Sequence, residues 1–379
     1  MRIVFVSSYL SIHQLPLCWC LHTMFGERFC FVASKAIRLE RLTNGYRDLN
    51  EAYPFIVRAY EDEIQEEKAL RLIEQADIVV HGSAPWEYLT RRLAQGKLTF
   101  LYSERLYKSG FQWWKFPVRL WRFYQKYGRH KNLHLLCASA YTAGDFAKTG
   151  TFINKAYRWG YFPETKRYDE VGVLIDKKQP NTILWVGRFL DWKHPEIVVE
   201  VARRLRAEGY DFRIKMIGNG EIWDEISRRV EELHLQTCVQ LAGAVPSDEV
   251  RTHMEEASIY LFTSDRNEGW GAVLNESMNS ACAVVASDAI GAVPFLLRDG
   301  ENGLIYHSGN VDELYEKVKF LLDNPGHGKI LGRAAYETMI GMWNAETAVE
   351  RLMELSEALL RGEKRPDLFG EGPCSRVRK

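Results

Sequence analysis

The sequence has no long apolar run and few cysteines, which excludes several classes of protein. No uninterrupted apolar stretch is long enough to cross a bilayer. The first residues lack the basic start and the small-residue cleavage site of a signal peptide. The seven cysteines are scattered, odd in number and contain no Cys-x-x-Cys pair. We therefore expect reduced, buried thiols, no structural metal and a cytoplasmic location.

The formal net charge is zero, but the two halves of the chain differ in sign. Residues 1–165 contain 23 Lys and Arg against 15 Asp and Glu, whereas residues 166–379 contain 27 against 35. An asymmetry of this kind indicates that the halves meet different partners. The composition, 46% hydrophobic and 26% charged, is that of a globular protein. At 379 residues, two domains are expected.

Short apolar runs alternate with helical patterns in both halves, as in the strand-like runs Arg2–Ser7 and Thr182–Val186. This alternation is typical of parallel sheets covered by helices on both faces, with ligands beyond the carboxyl ends of the strands. We therefore expect two α/β units in tandem, with a cleft between them. The predicted division is a first domain at 1–165, a linker at 166–180, a second domain at 181–345, a helix at 346–362 that packs back across both units, and a flexible tail at 363–379.

Cations and glycines follow two predicted strands of the second half. Gly187-Arg188 ends one strand, and Lys193 precedes a helix that begins near Pro195. Two cations beside a helix N-terminus make a site for a diphosphate, and a solvated pair of cations is the alternative. Gly218 ends the next strand, where a glycine either lets a ligand approach the backbone or simply makes a turn.

Two carboxylates flank a glycine-rich aromatic turn. Glu268 lies in a predicted loop and Glu276 in the helix that follows, with Gly269, Trp270 and Gly271 between them. An ionised carboxylate accepts two parallel hydrogen bonds, and the vicinal hydroxyls of a sugar offer that geometry. The first backbone N–H groups of the helix can face a phosphate. The alternative is a loop charge followed by a surface residue of the helix.

The ordered set of motifs resembles the retaining, nucleotide-sugar-dependent glycosyltransferases of family 4. The run from Glu268 to Glu276 is similar to the family's Glu-x₇-Glu motif. It follows Gly187-Arg188, Lys193 and Gly218 in the family's order, and the resemblance covers nearly the entire second domain. It implies the α/β fold called GT-B, with two Rossmann-like domains facing each other across a cleft. It also implies that no metal or other cofactor is needed.

The resemblance implies a role for each matching position. Arg188 and Lys193 match the cations that hold the donor diphosphate and stabilise its departure, where negative charge develops. Glu276 matches the acid that binds the ribose diol, and Glu268 matches the acid that contacts the donor sugar near its reacting carbon. The expected catalytic residues are Arg188, Lys193 and Glu268, and the expected donor-binding residues are Gly187, Gly218, Gly243, Val245, Gly269, Trp270, Gly271 and Glu276.

The first domain matches the family less well. The usual glycine-rich loop after the first strand is replaced by a stretch that contains His13. A histidine that many members place after a later strand is replaced by Ser103-Glu104-Arg105. His13 and Glu104 are the candidates for the acceptor or sugar side of the site. For His13 the alternative is an ordinary polar surface residue.

The segment from Arg105 to Lys131 has eight Lys and Arg, nine aromatic residues and no acidic residue. Amphipathic helices of this composition lie in the interface of anionic membranes. One alternative is a helix whose aromatic side chains pack on its own domain. A nucleic-acid surface uses the same ingredients, but no recognition module matches the pattern, so we expect no nucleic acid.

The resemblance implies a retaining glycosyltransferase. It would move a sugar from a nucleoside diphosphate sugar, with UDP or GDP expected, to a glycan or lipid-linked acceptor in surface polysaccharide or glycolipid assembly. Retention would proceed by front-face substitution, and closure of the domains would exclude water. The alternatives are a nucleotide-sugar epimerase or a glycogen-type phosphorylase on the same fold, or a non-catalytic nucleotide-sugar-binding protein.

Overall fold

The computed structural model describes residues 1–37, 48–108, 110 and 116–378. The chain forms two compact units. Unit 1 consists of Met1–Glu164 together with Met342–Lys379, and unit 2 consists of Thr165–Gly341. The chain therefore passes from one unit to the other twice.

Unit 1 is built on a seven-stranded parallel sheet. Its strands are β1 (Ile3–Ser7), β2 (Phe29–Ala33), β3 (Ile56–Arg58), β4 (Ile78–His81), β5 (Thr99–Ser103), β6 (Leu133–Cys137) and β7 (Ala156–Arg158). They lie in the order β3-β2-β1-β4-β5-β6-β7, with Ile3 of β1 in register with Phe29 and Ile78. All five residues of β1 are buried, as expected for a central strand with both faces covered.

The helices of unit 1 flank this sheet. They are α1 (Leu15–Phe25), α2 (Glu63–Gln75), α3 (Thr90–Ala94), α4 (Phe116–Phe123), α5 (Thr142–Ala147) and the last helix of the chain, α14 (Ala345–Leu360). The Asp62 side chain accepts a hydrogen bond from the Gln65 backbone N–H at 2.7 Å and so begins α2. Helix α14 contacts α1.

Unit 2 contains a six-stranded parallel sheet in the order β10-β9-β8-β11-β12-β13. The strands are β8 (Gln179–Val186), β9 (Arg213–Ile217), β10 (Val239–Gly243), β11 (Ala257–Phe262), β12 (Ala283–Ser287) and β13 (Leu304–Tyr306). The helices are α6 (Val171–Lys177), α7 (Pro195–Ala207), α8 (Trp223–Glu232), α9 (Ser247–Glu256), α10 (Ala272–Asn279), α11 (Val293–Leu296), α12 (Val311–Asp323) and α13 (Pro325–Gly341). Because β9 and β10 lie on one side of β8 and the later strands on the other, the strand order reverses between β8 and β11.

The predicted linker and tail differ from the structure. Residues 166–180 belong to unit 2 and contain α6 and the start of β8. The ammonium of Lys178 is held there by three backbone carbonyls, including that of Ala257 at 2.8 Å. The tail after residue 362 is packed, because Cys374 is buried and its N–H donates to the Arg158 carbonyl at 2.8 Å. The polar composition of both stretches concealed these backbone contacts.

None of the helices in the described ranges is long and apolar enough to cross a bilayer. The cysteines in the same ranges are all free thiols, as the scattered spacing predicts. The α/β fold class with two parallel sheets is therefore confirmed. The first unit is interrupted at Glu164, close to the expected 165, and resumes at Met342.

Candidate functional site

The predicted donor residues lie at the carboxyl edge of the sheet of unit 2. The turn with Arg188 and Lys193 follows β8, and the loop with Glu268 follows β11. These two strands are neighbours at the point where the strand order reverses. In open parallel sheets, ligands bind beyond the carboxyl ends of the strands at this position. The topology therefore places the two most informative motifs of the sequence side by side.

The turn after β8 presents a cation and is closely packed against the next strand. Arg188 is exposed, and its guanidinium forms no ion pair with any residue that the structure describes. Gly218 has a φ of +135°, and a Cβ there would lie 1.9 Å from the Gly187 carbonyl oxygen. The glycine at 218 is thus required by the chain's own backbone, because the turn after β8 already occupies that space.

Lys193 and Glu268 form an ion pair across the two loops. Their side chains are only 13% and 12% exposed. The Ser264 hydroxyl donates a second hydrogen bond, at 3.1 Å, to the same carboxylate oxygen of Glu268. The Lys193 ammonium also lies 4.6 Å from the centre of the Trp192 ring. Because charges this buried are costly to leave unpaired, the pair fixes the two loops relative to each other.

The aromatic turn between the carboxylates is held by packing. Gly271 has a φ of +89°, and a Cβ there would lie 2.4 Å from the Phe262 ring. The Trp270 side chain is buried, and its indole N–H donates to the Asn275 side-chain oxygen at 2.9 Å. Gly269 is buried as well. Any contact of Trp270 with a ligand must therefore be made by its backbone.

Glu276 lies in the second turn of α10 and is partly buried. No described residue donates a hydrogen bond to its carboxylate. Burial raises the pKa of Glu276 to about 7, and the positive charge of Arg251 opposes that rise. The Arg251 guanidinium is itself held by the Asn279 side-chain oxygen at 2.8 Å, one turn farther along α10. Arg251 lies 25 residues before Glu276, and no motif in the sequence connects the two.

Gly243 and Val245, two of the expected donor-binding residues, lie at the outer edge of the same sheet. Gly243 ends β10 with a φ of +71°, and its carbonyl accepts a hydrogen bond from the Gly218 N–H at 2.8 Å. Val245 follows in the turn before α9 and is partly buried. The ends of β8, β9 and β10 are thus linked in a row by backbone contacts.

In unit 1 a tyrosine joins the two predicted residues. The His13 ring stacks on the Tyr161 ring, with centroids 6.1 Å apart and planes 29° apart. The Tyr161 hydroxyl donates to one oxygen of Glu104 at 2.6 Å, and the Lys108 ammonium binds the other at 2.9 Å. The structure therefore brings His13 and Glu104 into one cluster. Because the three residues lie far apart in the chain, no local pattern predicts that Tyr161 joins His13 to Glu104.

The basic aromatic segment is divided between packed and exposed side chains. Phe123 and Tyr127 face inward and contact the Phe146 ring, as the packed-helix alternative expects. Trp121 and Tyr124 are 64% and 56% exposed. Residues 109 and 111–115, which include Trp113 and Trp114, lie outside the described residues. The described part of the segment therefore has both packed and exposed aromatic side chains.

No group of metal-binding side chains occurs among the residues described.

Comparison with known proteins finds similar sequences for the second unit. Residues 170–338 match the family model described as glycosyl transferases group 1. An uncharacterized glycosyltransferase of Methanocaldococcus jannaschii is 30% identical over 165 residues, which cover 44% of this chain and 45% of the relative. The amylovoran biosynthesis glycosyltransferase AmsK of Erwinia amylovora is 27% identical over 186 residues, which cover 48% and 46%. The chain thus matches less than half the length of these relatives.

The fold of the chain is similar to that of solved glycosyltransferase structures. HepE of Anabaena, crystallised with UDP, superposes with a TM-score of 0.69 at 14% identity, covering 94% of this chain and all of HepE. At that identity the likeness establishes the fold alone. The fold is therefore GT-B, with two Rossmann-like α/β units, and residues 170–338 match the glycosyl transferases group 1 family.

Proposed function

We propose that this chain is a retaining glycosyltransferase that moves a sugar from a nucleoside diphosphate sugar to a glycan or lipid-linked acceptor. The observation that carries the proposal is the Lys193–Glu268 pair beside the unpaired Arg188, at the strand-order reversal of unit 2. The match to glycosyl transferases group 1 covers these residues. A UDP or GDP sugar is the proposed donor, and HepE was solved with UDP.

The diphosphate would bind to Arg188, Lys193 and the N-terminus of α10. Arg188 is exposed and has no protein partner among the described residues, so its guanidinium can take a phosphate in bidentate geometry. The Lys193 ammonium has three N–H donors and can keep Glu268 while it donates to a phosphate oxygen. The positive end of α10 adds to these charges. Together they would stabilise the negative charge that develops on the departing diphosphate.

The two carboxylates would hold the sugar and the ribose. Glu276 has no hydrogen-bond donor among the described residues, so both of its oxygens are open to the two hydroxyls of a ribose. Glu268 already accepts bonds from Lys193 and Ser264 on one oxygen, which leaves the other for a hydroxyl of the donor sugar. Both carboxylates accept hydrogen bonds in this scheme, and neither has to gain or lose a proton during the reaction.

Retention would follow from front-face substitution. The bond between the anomeric carbon and the diphosphate oxygen breaks, and its electron pair leaves with the diphosphate. The acceptor hydroxyl forms its bond on the same face, and its proton passes to an oxygen of the departing phosphate. Glu268 is a poor candidate for a covalent nucleophile, because Lys193 and Ser264 both bind its oxygen. No metal is needed, because Arg188 and Lys193 supply the positive charge.

The acceptor side is proposed for unit 1. His13, Tyr161 and Glu104 together offer aromatic surface and a carboxylate, which suit a sugar ring with its hydroxyls. The exposed Trp121 and Tyr124 lie in the basic segment and suit the interface of an anionic membrane. We propose a peripheral location at the cytoplasmic face of that membrane, in surface polysaccharide or glycolipid assembly. AmsK is named for a biosynthesis of this general kind, that of amylovoran.

Labelled nucleotide sugars test the proposal. The protein is incubated with UDP- and GDP-sugars, with and without lipid acceptors, after UDP, GDP and ADP have been screened for thermal stabilisation. The proposal expects a labelled acceptor and a released nucleoside diphosphate. Isomerised donor without acceptor would instead show an epimerase. Nucleotide binding without turnover on any acceptor would show a binding protein.

A further inference from the structure

His194 occupies an unusual place between the catalytic lysine and helix α7. It follows Lys193 directly and precedes Pro195, with a φ of +51° and a ψ of +52°. The left-handed region disfavours a side chain as large as histidine, and such conformations persist where surrounding contacts impose them. The contacts of the imidazole ring therefore identify what holds this residue in place.

The imidazole lies between two carboxylates from different elements. Its Nδ1 is 2.7 Å from an oxygen of Glu196, in the first turn of α7. Its Nε2 is 3.8 Å from an oxygen of Asp265, in the loop after β11. A neutral imidazole can donate at only one nitrogen, whereas the imidazolium donates at both. The neutral ring can make the hydrogen bond to Glu196, whereas the attraction to Asp265 across 3.8 Å requires the positive charge of the imidazolium.

Asp265 lies in the loop that carries Glu268. Its backbone N–H donates to the Trp192 carbonyl at 2.9 Å, and its own carbonyl accepts from the Glu268 N–H at 3.1 Å. The Thr263 hydroxyl of the same loop donates to the Lys193 carbonyl at 2.6 Å, and the His194 bridge and the Lys193–Glu268 pair join the loop to the same turn. Among these contacts, the His194 bridge contains the histidine, whose charge changes near neutral pH.

We propose that His194 is a positioning residue whose protonated ring holds the Glu268 loop against the Lys193 turn. The inference rests on the proposed function in one respect only, namely that this loop binds the donor. As pH rises and the ring loses its proton, the bridge to Asp265 weakens and the loop opens more often. Donor binding and turnover then fall, although neither Lys193 nor Glu268 has changed its charge.

The surrounding charges set the pH range. Glu196, Asp265 and Asp191 face the ring and favour its protonated form, while Lys193 and the positive end of α7 oppose it. The hydrogen bond to Glu196 is the main cause that raises the pKa of His194 above its ordinary value of 6.5, against the effect of burial. Because this pKa is raised on folding, the stabilisation is present at low pH and is lost as pH rises through the folded pKa.

Glycine at this position provides a sharp test. His194→Gly removes the ring but suits the left-handed backbone, so the variant is expected to fold. His234 is a matched control in the same unit, because it is exposed, has a φ of +54° and lies before β10. The measurement is hydrogen exchange of peptides covering residues 264–271, corrected for intrinsic rates, at about pH 6 and about pH 8.5.

In the wild type and in His234→Gly, protection of the loop should fall by about 2- to 5-fold as pH rises, the change that one partly exposed ion pair allows. His194→Gly should show low protection at both values, with no pH dependence. His194→Asn, which tolerates the left-handed backbone but carries no charge, should behave like His194→Gly. Equal pH dependence in the wild type and His194→Gly would overturn the proposal.

A second measurement separates this inference from the proposed function. Binding of UDP, GDP and ADP is measured for the wild type and His194→Gly over the same pH range. Ionisation of Glu276 affects both proteins alike over this range, so a ratio of wild-type to variant affinity that falls as pH rises supports the positioning role, and a ratio that does not change with pH contradicts it. If none of these nucleotides binds the wild type while the loop still responds to pH through His194, the proposed function fails and the positioning role stands.

Discussion

Replacing Glu276 by glutamine should stabilise the protein and weaken donor binding at the same time. The folded carboxyl has a pKa of about 7 because it is buried, against an ordinary value of 4.5. Between these two values the folded chain holds a proton that the unfolded chain has released. The free energy of unfolding therefore falls as pH rises through this range. The full difference between the folded and unfolded pKa values of Glu276 corresponds to about 3 kcal/mol in the free energy of unfolding.

Glutamine is neutral at every pH, so the variant lacks this dependence. At about pH 8 we expect Glu276→Gln to be more stable than the wild type by about 3 kcal/mol, and at about pH 5 by about 1 kcal/mol or less. The readout is the free energy of opening from hydrogen exchange of β11, because this strand lies in unit 2 and is almost entirely buried. Glu316→Gln is the control, since Glu316 is an exposed acid on α12.

Donor binding should change in the opposite sense. The ionised carboxylate accepts both ribose hydroxyls, whereas the amide offers one acceptor oxygen, so nucleotide affinity should fall about 10-fold or more. In the wild type, affinity should also fall as pH drops below about 7, where Glu276 becomes protonated. A Glu276→Gln variant with unchanged pH dependence of stability would refute the burial of this charge. Unchanged nucleotide affinity would refute its role in binding.

The remaining predictions concern the ion pair, a glycine, the exposed aromatics and metal. Lys193→Ala should lower the initial rate of sugar transfer by about 100-fold or more, while its circular dichroism spectrum stays unchanged. A rate within a few-fold of the wild type would contradict a catalytic role for Lys193. Gly218→Ala should destabilise unit 2 by at least about 2 kcal/mol in urea unfolding, because its Cβ meets the Gly187 carbonyl, and a stable variant would contradict that contact. The double change Trp121→Ser and Tyr124→Ser should reduce binding to anionic liposomes, whereas Trp19→Ser, at another exposed aromatic of unit 1, should not. Transfer should persist in EDTA, and its loss with recovery on adding Mg²⁺ would show a metal requirement.

The elements that the sequence predicts well are those with strong local patterns. The apolar runs Arg2–Ser7 and Thr182–Val186 agree closely with β1 and with the second half of β8, and the helix expected near Pro195 begins there as α7. The three-residue strands β3, β7 and β13 cannot be predicted in the same way, because so short a run leaves no readable alternation.

The candidate site was predictable as a set of motifs but not as a set of contacts. Lys193 and Glu268 are 75 residues apart, and only the pairing of β8 with β11 brings them together. Tyr161 joins His13 to Glu104 through a ring contact and a hydroxyl, and neither depends on a local pattern. Contacts of this kind follow from sheet order, which single-strand patterns do not encode.

The central claim is tested most directly by the configuration of the released sugar. The donor is the nucleotide sugar that gives the largest thermal stabilisation, and the acceptor is either a lipid-linked acceptor or water. Proton NMR follows the anomeric signals of the sugar during the reaction of the wild type. The account predicts a product whose anomeric configuration equals that of the donor, together with a nucleoside diphosphate, and no such product from Lys193→Ala. A product of inverted configuration, or turnover that is unaffected by Lys193→Ala, would contradict it.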